Sequence, residues 1–238
     1  MLQIASSTNI GGRPQNEDTV RCSTVGDDRL CVVVADGLGG HGGGEQASST
    51  AAEVICRDWD GTVDREKLIE RIRLANRKVL DIQTRTCSMK TTVTVLTVEK
   101  GRAVWAHVGD SRIYHFQDGK LVFQTRDHSV AQIGVMLGEI TVDQIRFHED
   151  RNRVLRALGQ DEDLNVECKE QELGPGRHAF LLCSDGFWEY VLEPEMEQDL
   201  AAAAGPEDWL ERMRRRLAER VPADNDNNTA AVVWLEER

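Results

Sequence analysis

Apolar and polar positions along the chain alternate between strand-like and helical spacing. Ile4 to Ile10 can pair as a first strand, and Thr19 to Thr24 and Arg29 to Ala35 predict two more around the Gly26-Asp27-Asp28 turn. The spacing then becomes helical. Ala47, Ala51, Val54 and Ile55 share a face of Glu45 to Asp58, and Leu68, Ile72, Ala75, Val79 and Ile82 share a face of Asp64 to Gln83. Together these predict an αα-hairpin laid over a sheet. Three strands follow: Thr91 to Glu99, Ala103 to Val108 and Arg112 to Gln117, the last ending at an Asp118-Gly119 hairpin turn. Thr125 to Gly159 is short, helical and punctuated by glycine, which suits a mobile flap, with Thr141 as a helix cap. Strands at Leu164 to Leu173 and His178 to Cys183, a helix at Pro206 to Arg220 and a last strand at Ala230 to Leu235 complete the pattern.

One stretch departs from simple patterning. The apolar run Cys31 to Ala35 stops at Asp36, and six of the next eight residues are glycine. A strand that delivers a carboxylate and then turns on bare backbone lets a ligand approach the main chain. Gly37 to Gly42 fits G-x-G-x-x-G, the dinucleotide fingerprint, but two helical segments follow where a βαβ unit needs a strand. An Asp before the first glycine also repels a pyrophosphate. The better reading is a carboxylate at a strand end, with a nearby carbonyl, facing a hard metal ion.

The same layout recurs. Asp110 and Asp185 each follow an apolar strand, and Asp226 precedes one. If these strand edges meet, the four carboxylates repel one another and shift upward in pKa unless divalent cations intervene. Carboxylate and carbonyl donors without a His or Cys cluster select Mg²⁺ or Mn²⁺ over Zn²⁺. Two such ions sharing a water would present hydroxide to a phosphorus atom. Arg13, in the turn Gly11 to Asp18, has a planar fork that matches phosphate oxygens. Taken alone, that turn is more simply a solvated loop.

Composition narrows the picture. At 238 residues, with no linker or repeat, the chain reads as one domain, 1–238, with its flap at about 127–160. The net charge of −12 and the lack of a basic, aromatic-rich patch disfavour nucleic acid as a partner. The first residues lack the basic start and apolar core expected of a signal peptide, and no apolar run approaches membrane-spanning length. Six scattered cysteines without C-x-x-C suggest buried free thiols in the cytoplasm. Ser111 lacks a nucleophile elbow, Trp105 and His107 read as core and strand-face positions, and Asp127-His128 reads equally as a cap or a site pair.

RPQNED, VVADGLGGHGGGEQA, VGDSRIY, RDHS, RVLRALG, LLCSDGFWE and DNNT occur in the order of the metal-dependent protein phosphatases, the PPM or PP2C family, from about Ile4 to Leu235. The flap stretch resembles the bacterial single-domain branch. The resemblance implies an α+β fold, an αββα sandwich of two antiparallel sheets flanked by helical pairs. It implies two Mn²⁺ or Mg²⁺ ions, with Asp36 bridging them, the Gly37 carbonyl on one, and Asp185 and Asp226 on the other. Arg13 would hold the substrate phosphate, and Glu17 and Asp18 match the family's acidic pair, Asp18 reaching a metal through water. Asp110 with Asp185 matches a third, weaker metal site. The implied reaction is hydrolysis of phosphoserine and phosphothreonine in proteins by a metal-bridging hydroxide, reversing a bacterial serine/threonine kinase. The implied enzyme is a cytoplasmic monomer without membrane or nucleic-acid partners.

Two positions depart from the family pattern. Leu38 stands where eukaryotic relatives carry a His proposed as general acid, and His41 is no safe substitute. Lys90, in place of a Gly, precedes Thr91-Thr92 and is expected to sit exposed. Two other functions compete. A phosphoprotein-binding pseudophosphatase would have lost a metal acid or the clamp, yet Arg13, Asp36, Asp185 and Asp226 are all present. A nucleotide or nucleic-acid phosphoesterase fits poorly with the charge and the few aromatics.

Overall fold

The computed structural model describes residues 2–39 and 43–237; His41, weighed above, lies outside them with Gly40 and Gly42. The elements, in order, are β1 (Gln3–Asn9), β2 (Asp18–Val25), β3 (Arg29–Leu38), α1 (Gly43–Cys56), α2 (Arg65–Ile82), β4 (Lys90–Thr91), β5 (Val93–Glu99), β6 (Arg102–Val108), β7 (Arg112–Gln117) and β8 (Lys120–Gln124). After these come α3 (Val130–Leu137), a 3-10 turn (Val142–Phe147), β9 (Glu167–Glu172), β10 (Gly176–Cys183), α4 (Asp185–Trp188), α5 (Glu193–Ala202), α6 (Pro206–Arg220) and β11 (Asn228–Glu237).

The strands form two antiparallel sheets, ordered β1-β11-β10-β7-β8 and β2-β3-β5-β6-β9, with β4 paired to β3. The alternation in β5 explains the layering. Leu96 and Val98 face the other sheet, packing with Val32, Trp105, Phe180 and Val233, whereas Val93 and Val95 pack with Ile55, Leu68 and Ile72 of α1 and α2. On the far side, Trp209, Met213 and Leu217 of α6 and Met196 of α5 cover Leu181 and Val232. Each fully buried side chain of this size is worth about 1.5–3 kcal/mol. The result is the expected αββα sandwich.

Several local expectations change. β3 does not stop at Asp36: Gly37 and Leu38 pair with Thr91 and Lys90 of β4. The strand expected from Thr91 onward is broken at Thr92, whose N–H turns to the Asp36 carbonyl at 2.8 Å. Lys90 is half-buried rather than exposed. Three cysteines, 31, 56 and 183, are buried, but Cys22 is exposed and Cys87 and Cys168 are intermediate. No helix among the described residues is long and apolar enough to cross a membrane.

Candidate active site

Strand direction brings the acids to one end of the sandwich. β2 runs antiparallel to β3, so Asp18 at the start of β2 sits opposite Asp36 near the end of β3. β6 ends at the same edge, just before Asp110. In the other sheet, β10 ends next to the start of β11, which sets Asp185 beside Asp226. Loop 10–17 closes over that edge.

Asp36 is held by its backbone. Its N–H donates to Thr92 Oγ1 at 3.1 Å, and its carbonyl accepts from Thr92 N–H and from Thr91 Oγ1 at 2.9 Å. Thr92 Oγ1 in turn meets Ser111 Oγ at 2.7 Å, which gives Ser111 a buried structural role. Gly37 N–H donates to the Glu17 carbonyl at 3.1 Å. A Cβ on Gly37 would lie 2.2 Å from the Gly44 carbonyl oxygen, so only glycine lets β3 and α1 meet there. Ser184 ties the two sheets together. Its Oγ donates to Asp18 Oδ2 at 2.7 Å and accepts from Thr229 N–H at 3.0 Å. Asn227 pins the loop that carries Arg13, donating to the Ile10 and Gln15 carbonyls and accepting from Glu17 N–H.

The electrostatics are those of crowded carboxylates. Burial pushes Asp36 well above the usual range, and the charges of Asp18, Asp185, Asp110 and Asp226 push it further. Burial raises Asp18 to about 7 against the pull of its Ser184 and Thr229 hydrogen bonds. Asp185 rises to about 6, through burial and then Asp226. Asp110 is also well raised, by burial first and then by Asp185 and Asp127, and its Oδ1 has no hydrogen-bond partner among the described residues. By surface area Asp36 and Asp185 are only half-buried. Arg13 Nη2 meets Asp226 Oδ2 at 2.7 Å, with its side chain half exposed, so the expected clamp and a predicted metal acid are in direct contact.

Patterning missed two neighbours. Glu189, one turn beyond Asp185, is raised to about 7 by burial and by Asp185, and accepts from Arg151 Nε of the flap at 2.9 Å. No periodicity signals that pair, since it depends on where the flap docks. Asp127 proves structural, gripping Arg112 through both oxygens at 2.8 and 2.7 Å.

Among the described residues, His107, His128 and Glu167 bring their ligand atoms within 4.8 Å of one another. Their hydrogen bonds disqualify them as a metal centre. His128 Nδ1 accepts from Gly109 N–H at 3.1 Å, so its Nε2 carries the proton toward Glu167 and has no lone pair to give. The two rings also stack at 4.6 Å and 10°, which aims their in-plane lone pairs alongside rather than at one point. A groove of about 940 Å³ bordered by Arg57, Trp59 and Leu74 contains none of the acids. The acid cluster, with oxygen donors only and carboxylates that repel one another, is the arrangement suited to hard divalent cations.

Comparison with known proteins agrees. A family model described as protein phosphatase 2C matches residues 8–226. A relative named serine/threonine phosphatase stp, from Listeria welshimeri, is 32% identical over 202 residues, 79% of this chain and 78% of its own length. The crystal structure of the PPM Ser-Thr phosphatase MsPP from Mycobacterium smegmatis, in complex with cacodylate, has a TM-score of 0.81 at 30% identity, covering 98% of this chain and 97% of that one. The catalytic domain of the serine/threonine protein phosphatase PstP, in complex with two manganese ions, has a TM-score of 0.81 at 27% identity, covering 100% and 99%. With the family match spanning most of the chain and the acids gathered at one end of the sandwich, the chain belongs to the protein phosphatase 2C family and is a protein phosphatase.

Proposed function

We propose that this phosphatase removes phosphate from phosphoserine and phosphothreonine in proteins, with two Mn²⁺ or Mg²⁺ ions held by Asp36, the Gly37 carbonyl, Asp185 and Asp226. The supporting observation is the convergence of Asp18, Asp36, Asp110, Asp185 and Asp226, whose mutual repulsion needs cations. When bound, the ions supply a nucleophilic water at neutral pH and neutralise charge on the phosphate oxygens. Asp36, whose backbone is fixed by Thr91 and Thr92, would bridge the two sheets' contributions. Asp18, anchored by Ser184, orients a water in the cluster, and Asp110 with Asp185 forms a third, weaker site.

Arg13 carries substrate binding. One of its nitrogens is engaged by Asp226, and its half-exposed fork offers further N–H groups to phosphate oxygens. In the transition state, charge gathers on those oxygens and the guanidinium stabilises it. The substrate is a phosphorylated segment of a protein that reaches the acids at this end of the sandwich. The whole chain acts as one catalytic unit in the cytoplasm, as a monomer, and opposes a serine/threonine kinase. Retention of Arg13 and every proposed metal acid favours turnover over mere phosphoprotein binding.

The test is hydrolysis of p-nitrophenyl phosphate and of a phosphothreonine peptide with Mn²⁺, Mg²⁺ or chelator, beside Asp36→Asn. Turnover that needs the metal and vanishes in the variant supports the mechanism. Undiminished turnover in chelator, or in Asp36→Asn, would refute it.

A further inference from the structure

Asp110 lies in the turn between β6 and β7; its own backbone N–H faces its carboxylate, yet its Oδ1 is buried with no hydrogen-bond partner among the described residues. What reaches it is an indole. Trp188 Nε1 donates to the Asp110 carbonyl at 3.0 Å. Trp188 closes the short helix that Asp185 opens, so one rigid turn presents the Asp185 carboxylate and grips the backbone of Asp110. The indole is itself clamped. The Arg112 guanidinium carbon stands 3.5 Å above the ring centroid, and that side chain is 1% exposed. Arg112 cannot drift, because Asp127 holds it by a two-oxygen fork and its Nη1 donates to Tyr114 Oη at 3.3 Å. Arg146 of the flap also reaches over the ring, 5.4 Å from its centroid, and its Nη2 donates to Glu193 at 2.6 Å.

A buried Arg–Asp pair that also holds Trp188 and Tyr114 does more than the core needs. An apolar pair of the same volume would fill the space without the cost of desolvating two charges. What the guanidinium adds is a fixed plane for the indole, which in turn fixes the donor on Asp110. We propose that Trp188, held in place by Arg112, is a positioning residue that sets the Asp110 carboxylate against Asp185. The inference rests on the reading of Asp110 as an acid of the weaker metal site. It also joins the flap to that acid, since Asp127 opens the flap and Arg146 lies within it.

The test uses the full chain in a double-mutant cycle of Trp188→Phe and Asp110→Asn. Phe keeps an aromatic face for Arg112 and loses the N–H together with part of the indole's volume, which the melts register separately. Bound Mn²⁺ is counted by electron paramagnetic resonance, turnover of p-nitrophenyl phosphate is titrated with Mn²⁺, and thermal melts check folding. Trp188→Phe should raise the Mn²⁺ needed for half-maximal turnover by about tenfold or more, as loss of a ligand-orienting partner does. KM for p-nitrophenyl phosphate should stay within about twofold, since the proposed phosphate clamp, Arg13, is on Asp226 and not on Asp110. The weakest Mn²⁺ should disappear in both single variants, and the double variant should be no worse than Asp110→Asn alone. If Trp188→Phe melts far below the parent, Arg112→Lys, which keeps the charge and loses the fork, takes its place in the cycle.

Full Mn²⁺ binding by Trp188→Phe would overturn the proposal. So would a penalty that persists undiminished in the Asp110→Asn background, or failure of both replacements to fold, which would make the pair purely structural. An Asp110→Asn protein that binds Mn²⁺ like the parent would overturn it together with the role of Asp110. Metal-dependent turnover lost in Asp36→Asn would still leave the main reading standing.

Discussion

Gly186 offers a sharp test of how the site is held. It follows Asp185 and lies against the segment that carries Asp226. A Cβ added there would sit 2.1 Å from the Asn227 carbonyl oxygen and 3.3 Å from the Asp226 Cβ. Its backbone is not among the positive-φ glycines, so Gly186→Ala acts through contact and not through an inaccessible conformation. An ordinary carbon–oxygen approach is about 3.3 Å, so the two segments must separate by about 1 Å. Overpacking of this kind costs about 1–3 kcal/mol. The larger consequence is for ligand geometry. Metal–ligand distances tolerate about 0.2 Å, and the forced movement is several times that. Mn²⁺ affinity should therefore fall about 100-fold, the upper part of the range for disturbed ligand surroundings.

The matched control is Gly174→Ala, where nothing among the described residues lies within 4 Å of the added carbon and φ is not positive. That variant should bind Mn²⁺ like the parent and gain up to about 1 kcal/mol from a stiffer unfolded chain. Calorimetric Mn²⁺ titration and melts in chelator give affinity and stability separately. A Gly186→Ala protein that titrates with Mn²⁺ like the parent would refute the claim that Asp185 and Asp226 hold one ion through close backbone approach.

Three further outcomes are expected. Burial, then the neighbouring His178, drives His115 down to about 3, so between pH 6.5 and 3 the unfolded chain binds more protons than the folded one. Stability is full above about pH 6.5 and falls on acidification, by about 2 kcal/mol between pH 7 and 5 from this residue; in urea titrations at the two pH values, His115→Leu should remove that share of the drop. Arg13→Ala loses an ion pair that is half exposed on both sides, so it should cost at most about 1 kcal/mol of stability while raising the KM for a phosphopeptide about tenfold or more by loss of a charge-assisted contact; an unchanged KM would exclude Arg13 as the clamp. Asn227→Ala strips the loop of two accepted bonds and one donated bond. It should destabilise by about 1–3 kcal/mol, with a rise in KM that exceeds the fall in kcat, because Arg13 loses its anchor while Asp36 does not.

Much of this was legible in the chain because the signals are local. Asp36, Asp110 and Asp185 each stand out as a carboxylate at the end of an apolar run, and the helix Pro206–Arg220 follows from a clean spacing of Trp209, Leu210, Met213 and Leu217. The helix Glu193–Ala202 was not legible. It buries only Met196, Asp199 and Leu200, and the buried Asp199 is there for a fork with Arg216, not for apolar packing. Thr91, Thr92, Ser111, Ser184 and Asn227 were missed for a related reason. A hydroxyl or amide in a strand reads as ordinary, and its value appears only when a partner distant in the chain arrives. Glu189 and Arg151 meet by the same kind of encounter, between the flap and the turn after Asp185.

The convergence of the acids, by contrast, follows from strand parity. In an antiparallel sheet, every second strand ends at the same edge. β3 ends where β2 begins, and β6 runs parallel to β3 with β5 between them, so Asp18, Asp36 and Asp110 must share an edge. In the facing sheet, the end of β10 must meet the starts of β11 and β7, which sets Asp185 beside Asp226 and near the Asp110 turn. Parity fixes the edge but not the spacing. The remaining closeness comes from Gly37 and Gly186, which let neighbouring backbones approach to distances no Cβ would allow, and from Ser184, which joins β2 to β11 across the two sheets. The glycines beside the acids are therefore as much a part of the site as the carboxylates. A chain that kept every acid but carried alanine at 37 and 186 should fold as a sandwich and fail to gather its metals.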